Sequence, residues 1–170
     1  MEKKNFVLTC RRFDLGECFT PEGEELEGEE TARVLEELSR KHPEIFLHPK
    51  DESVVEIVDC IMSNKSCEHI VDARVLKGGL VIPDDDAQPI SMEEGGLLLV
   101  TGTYAYVELT LDCGFDELDE DSRDDIYADI RFGIILNLKC EGYCWVSTGW
   151  TDMDVNLADA DELAEIRKLL

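Results

Sequence analysis

The 170-residue sequence predicts a single α+β domain, with a mostly antiparallel sheet and two or three helices packed on one side. Three observations carry that expectation. Several segments alternate apolar and polar residues with the period of a strand. Others repeat apolar residues at helical spacing behind capping residues. Glycine-containing turns join strand candidates directly, as antiparallel neighbours allow. No repeat, heptad or long linker divides the chain, so residues 1–170 read as one unit.

Residues 5–12 form the first predicted strand, with Phe6, Leu8 and Cys10 on one face. The stretch from Asp14 to Glu30 is acidic and punctuated by Gly16, Pro21, Gly23 and Gly28, which predicts a loop leading into a helix. That helix runs to about Lys41 on an inward stripe of Thr31, Val34, Leu35 and Leu38, and Pro43 stops it. Ser53 and Glu56 make a capping box before Val54, Val55, Ile57, Val58, Ile61 and Met62, which predicts a second helix. Residues 69–76 alternate as a strand, and Lys77-Gly78-Gly79 is a predicted turn into Leu80-Val81-Ile82. After an acidic loop at 84–94, Leu97–Leu111 is long enough to cross a sheet. Thr103, Ala105, Val107, Leu109 and Leu111 share one of its faces, and Tyr104, Tyr106 and Glu108 the other. A third acidic region at 112–129 leads to an expected strand through Ile130, Phe132, Ile134, Leu136 and Leu138. Glu141-Gly142 then turns it into a strand over 143–150, setting Cys140 opposite Tyr143 and Leu138 opposite Trp145. Asp159 and Glu162 box the start of a last helix with Leu163, Ile166, Leu169 and Leu170 on its apolar side.

The apolar run after Lys3-Lys4 ends by Thr9, too short for a signal-peptide core, and no stretch approaches a membrane span. The expectation is a cytoplasmic protein of a bacterial or infected host cell, with reduced cysteines. Of the seven cysteines, only Cys140 and Cys144 have a zinc-like spacing, and Cys60 and Cys67 lie further apart with His69 near. Free, packed thiols are the expectation, and no cofactor is implied.

No nucleophile elbow, phosphate loop, dinucleotide fingerprint or zincin motif is present, and no catalytic residue is predicted. His42 and His48 each precede proline around Glu44-Ile45-Phe46-Leu47, which reads as an extended connector with exposed histidines. Cys–His partners meet in space, and the sequence selects no pair. Asp152, Asp154 and Asn156 fall at the first, third and fifth positions of an EF-hand-like loop. Leu157 and Leu163 stand where its glycine and glutamate belong, so capping and hydration compete with calcium there.

The abnormal quantity is charge. Forty Asp and Glu against 16 Lys and Arg leave a net charge of -24. Such a chain has no general basic surface for nucleic acid or anionic membrane. Residues 14–30, 84–94, 112–129 and 152–165 hold 28 of the 40 acids and one base, Arg123. Acids with so few interspersed bases make a long-range negative field rather than salt-bridged stability. A natural partner is a basic protein whose groove holds phosphates, such as a nuclease or another nucleic-acid-binding protein. The expected function is therefore a non-enzymatic, nucleic-acid-mimicking inhibitor of the anti-restriction, anti-CRISPR or immunity-protein kind, a likeness of charge and size alone. Expected contacts are Glu24, Glu25, Glu29, Glu30, Asp116, Glu117, Asp119, Glu120, Asp121, Asp124 and Asp125, with Tyr104 and Tyr106 as anchors. The alternatives are a structural or assembly module, a calcium- or metal-binding protein, and a small enzyme whose site leaves no sequence signature.

Overall fold

The computed structural model describes residues 3–12, 15–46, 55–81, 102–148 and 153–170. The chain is α+β, with two antiparallel sheets and three main helices. Its elements are β1 (Lys4–Arg12), β2 (Glu17–Phe19), β3 (Glu25–Leu26), α1 (Glu29–Lys41), α2 (Pro43–Phe46), β4 (Val55–Asp59), α3 (Ile61–Asn64), β5 (Ile70–Val81), β6 (Gly102–Leu111), α4 (Glu120–Gly133), β7 (Ile134–Cys140), β8 (Tyr143–Thr148), β9 (Met153–Leu157) and α5 (Ala160–Leu169). A 3-10 turn at Phe115–Glu117 precedes α4. No described helix is long and apolar enough to cross a membrane.

The strands divide into two sheets where the sequence suggested one, in the orders β5-β6-β1-β9 and β3-β2-β8-β7-β4. Alternation builds the first sheet as expected. Thr103, Ala105, Val107, Leu109 and Leu111 of β6 are buried, and Leu8 and Cys10 of β1 lie opposite Val107 and Ala105. The β7–β8 hairpin also has the expected register, Cys140 against Tyr143 and Leu138 against Trp145. Its turn takes positive φ at Glu141 (50°) and Gly142 (88°), as a two-residue hairpin turn requires. Buried residues of both sheets join one apolar cluster, in which Phe46 meets Trp145 edge-on with ring centroids 5.7 Å apart.

Four local expectations are corrected. Residues 55–59 form a strand paired with β7, not a helix, because consecutive β-branched residues suit a pleated surface and a partner strand is present. Ser53 and Val54 lie outside the described residues. Gly78 and Gly79 lie within β5 and make no turn. A Cβ on Gly78 would come within 2.8 Å of Ile57 Cδ1, so glycine permits the close approach of β4. Ile130 and Phe132 belong to α4, whose buried positions Ile126, Ile130 and Gly133 follow the helical period, and Phe132 faces outward. Pro43 opens the short helix α2, so the supposed connector is helical as far as Phe46, which is fully buried.

Helix α4 is seated on α3, β7 and β9. Asp129, one of its buried positions, accepts hydrogen bonds from Ser66 N (2.9 Å), Ser66 Oγ (2.9 Å) and Cys67 N (2.8 Å). One carboxylate thereby satisfies two backbone N–H groups of the loop that leads to His69 and β5.

Candidate functional site

The acids expected to meet a partner lie on two separate parts of the fold. Glu24, Glu25, Glu29 and Glu30 occupy the β2–β3 hairpin and the first turn of α1, and all four are exposed. Asp116, Glu117, Asp119, Glu120, Asp121, Asp124 and Asp125 surround the start of α4, and all are exposed. Helices α1 and α4 share no substantial packing contact, so the two groups are distinct surfaces.

Some of these acids have structural work. Asp119 is the N-cap of α4 and accepts from Ser122 N at 2.7 Å, and that bond holds its carboxyl below the usual range. Glu117 accepts from Gly114 N at 3.3 Å and lies 3.9 Å from Lys4 Nζ. Arg123, the one base of this region, donates to the carbonyls of Phe115 and Asp116 rather than neutralising a carboxylate. Among the described residues no base forms an ion pair with Glu25, Glu29, Glu30, Glu120, Asp121, Asp124 or Asp125. Acids at the starts of α1 and α4 complement the helix dipoles. The field outside both remains negative. The acids of 84–94 lie outside the described residues.

Tyr104 and Tyr106 stand in a different setting from the one expected. Their rings are 5.1 Å apart and tilted by 47°. Across the ladders Tyr104 faces Arg11 and Gly79, and Tyr106 faces Thr9 and Lys77, so neighbouring strands bring bases to this face. Glu108 is paired with Arg74 at 3.0 Å. Helix α5 lies beside Tyr106, which lines a cavity of about 310 Å³ with Thr9, Ile166, Leu169 and the acids Asp161, Glu162 and Glu165. Tyr106 therefore lies at the junction of β6 and α5.

Two of the three weak calcium candidates lie in a strand. Asp154 and Asn156 lie in β9, hydrogen-bonded in register with Arg11 and Thr9 of β1, and an extended strand cannot wrap an ion as an EF-hand loop does. Asp152 lies outside the described residues. Cys140 and Cys144 cannot share a zinc ion. Cys140 is level with Tyr143 and Cys144 with Lys139, so the two thiols point to opposite faces of the hairpin. All seven cysteines are free.

The cluster that sequence reasoning missed lies where β5 begins and β6 ends. Asp112 N donates to the His69 carbonyl at 3.1 Å, which fixes the two segments. His69 Nδ1 is 2.9 Å from Asp112 Oδ1 and 4.0 Å from Cys113 Sγ. The imidazole bond holds the Asp112 carboxyl below its usual range. Burial, then the Asp112 carboxylate, pushes the Cys113 thiol up. Both partners face the same ring nitrogen. In a nucleophilic triad the carboxylate orients the imidazole from the far nitrogen and the thiol is activated, and neither condition holds here. His69 and Asp112 lie 43 positions apart, and no spacing rule would have joined them.

No protein-family model, curated protein or solved structure matches this chain.

Proposed function

We propose that this protein is an acidic, non-enzymatic inhibitor that occupies the basic nucleic-acid-binding surface of a nuclease or another nucleic-acid-processing protein. One observation carries the reading: a net charge of -24 includes exposed carboxylates of α1 and α4 that no described base neutralises. A basic groove that meets such a surface exchanges its counterions as it would for phosphates, and the long-range attraction speeds encounter. The proposed contacts are Glu25, Glu29 and Glu30 on one surface and Glu120, Asp121, Asp124 and Asp125 on the other. Asp119 caps α4, Glu117 holds the 3-10 turn before it, and both contribute charge besides. The proposed setting is the cytoplasm of a bacterial or phage-infected cell, where targets of this kind act.

The test is binding and inhibition across a panel of basic nucleases and nucleic-acid-binding proteins, at about 0.05 M and about 0.5 M salt. Two charge reversals, E25K/E29K/E30K and D121K/D124K/D125K, separate the surfaces while sparing the caps, with circular dichroism to check the fold. At least one reversal weakens binding by about tenfold or more at low salt, and the difference shrinks at high salt. Binding that is indifferent to salt and to both reversals refutes the reading.

A further inference from the structure

We propose that His69, Asp112 and Cys113 form a binding site for a zinc-class divalent cation, held by His69 Nδ1, an Asp112 carboxylate oxygen and Cys113 Sγ. These three ligand atoms lie within 4.8 Å of one another. Around tetrahedral zinc, with metal–ligand distances of about 2.0–2.3 Å, neighbouring donors stand about 3.3–3.6 Å apart. The observed 2.9 Å and 4.0 Å bracket that spacing, so small side-chain rotations complete the cage. The backbone is already set, because the Asp112 N–H bond to His69 ties the two segments and Asp129 ties the loop before His69. Organisation of this kind reduces the ordering cost of binding.

The donor set selects the ion. One imidazole, one carboxylate and one thiolate suit a borderline-soft metal, while calcium and magnesium require oxygen cages. The side chains of His69 and Asp112 are 44% and 28% exposed, so a hydrated ion can reach them and a fourth position stays open to water or an outside donor. Glu117 and Asp119 are near enough to act electrostatically on Cys113 and His69, and their charge favours a cation. Coordination replaces the hydrogen bond between His69 and Asp112. The Cys113 proton goes to solvent, and the imidazole proton moves to Nε2. The site is independent of the inhibitor reading, since zinc binding requires no partner.

The experiment titrates the reduced full-length protein with zinc against a chromophoric chelator, in excess Mg²⁺ to saturate exposed carboxylates. A parallel Co²⁺ titration reads the thiolate-to-metal charge-transfer band. One equivalent of metal binds, the cobalt complex shows that band with visible absorption of tetrahedral intensity, and C113S abolishes the band. H69A and D112N each weaken zinc binding by about tenfold or more, while C144S binds as the parent does. Absence of the charge-transfer band in the parent overturns the proposal. So does a band that persists in folded C113S, or zinc affinity unchanged in both H69A and D112N.

Discussion

Replacing Asp129 by alanine removes a buried acceptor from three donors at once, Ser66 N, Ser66 Oγ and Cys67 N. Hydrogen bonds to a charged group each contribute about 1.5–3 kcal/mol net, but the variant also escapes the cost of burying the carboxylate, so the three values do not add. Two backbone N–H groups lose their partner, and a loss of about 3–4 kcal/mol is expected. For a chain of this size that is a fall in Tm of about 6–16 °C. Ser66→Ala removes one bond and leaves both backbone bonds, so it costs about 1.5 kcal/mol, the low end for one such bond, and about 3–6 °C. D129N lies between the two, because its amide keeps an acceptor for Ser66 but turns N–H groups toward Cys67 N. Urea unfolding of the three variants, followed by circular dichroism and tryptophan fluorescence, measures the series. A D129A variant within about 0.5 kcal/mol of the parent, or S66A as damaging as D129A, refutes the latch.

Gly133→Ala gains up to about 1 kcal/mol of helix propensity but sets a Cβ 2.6 Å from Ile61 Cα, where overpacking costs about 1–3 kcal/mol. The net effect is a lower urea midpoint, and an unchanged or raised midpoint contradicts it. The Asp119 carboxyl is lowered by its bond from Ser122 N, so its contribution is complete above the unfolded value of about 3.9 and is lost as pH falls through the lowered folded value. D119A is therefore less stable than the parent at neutral pH, and the gap closes in acid; a gap independent of pH in denaturant titrations would sink that account. Burial pushes Cys10 up to about 12, against the opposing charge of Arg131, and pushes Cys18 up to about 11 with Cys144 adding to it. Alkylation at about pH 8, mapped by mass spectrometry, reaches these two thiols only through unfolding. Labelling faster than unfolding contradicts their burial.

Two acidic surfaces and a mixed-donor cluster make different demands on the same fold. In the proposed role the surfaces act at a distance and need only display, which loops and first helical turns provide. The cluster needs three atoms brought within a metal's reach, which is provided by paired strand ends and a neighbouring loop held by Asp129. The acids at 116–125 lie close in sequence to Asp112 and Cys113, so a metal at the cluster would also offset part of the field near α4.

What the sequence determined by itself is whatever short-range physics decides. Alternation placed the inner face of β6, the Glu141-Gly142 pair set the β7–β8 register, and the Asp159–Glu162 box started α5 with bonds of 2.8 and 3.3 Å. Charge is additive, so the four acidic stretches were legible from composition alone. The tertiary structure decided everything that depends on a distant partner. Residues 55–59 became a strand because β7 lies beside them, and Gly78 continues β5 because Ile57 approaches it closely. Tyr104 and Tyr106 acquired basic neighbours from β1 and β5, which their own alternation does not contain. His69 reached Asp112 and Cys113, and Asp129 reached Ser66 and Cys67, across loops of more than forty residues. Closing such loops costs chain entropy that only the assembled core and strand ladders repay, so a local pattern carries no record of these contacts.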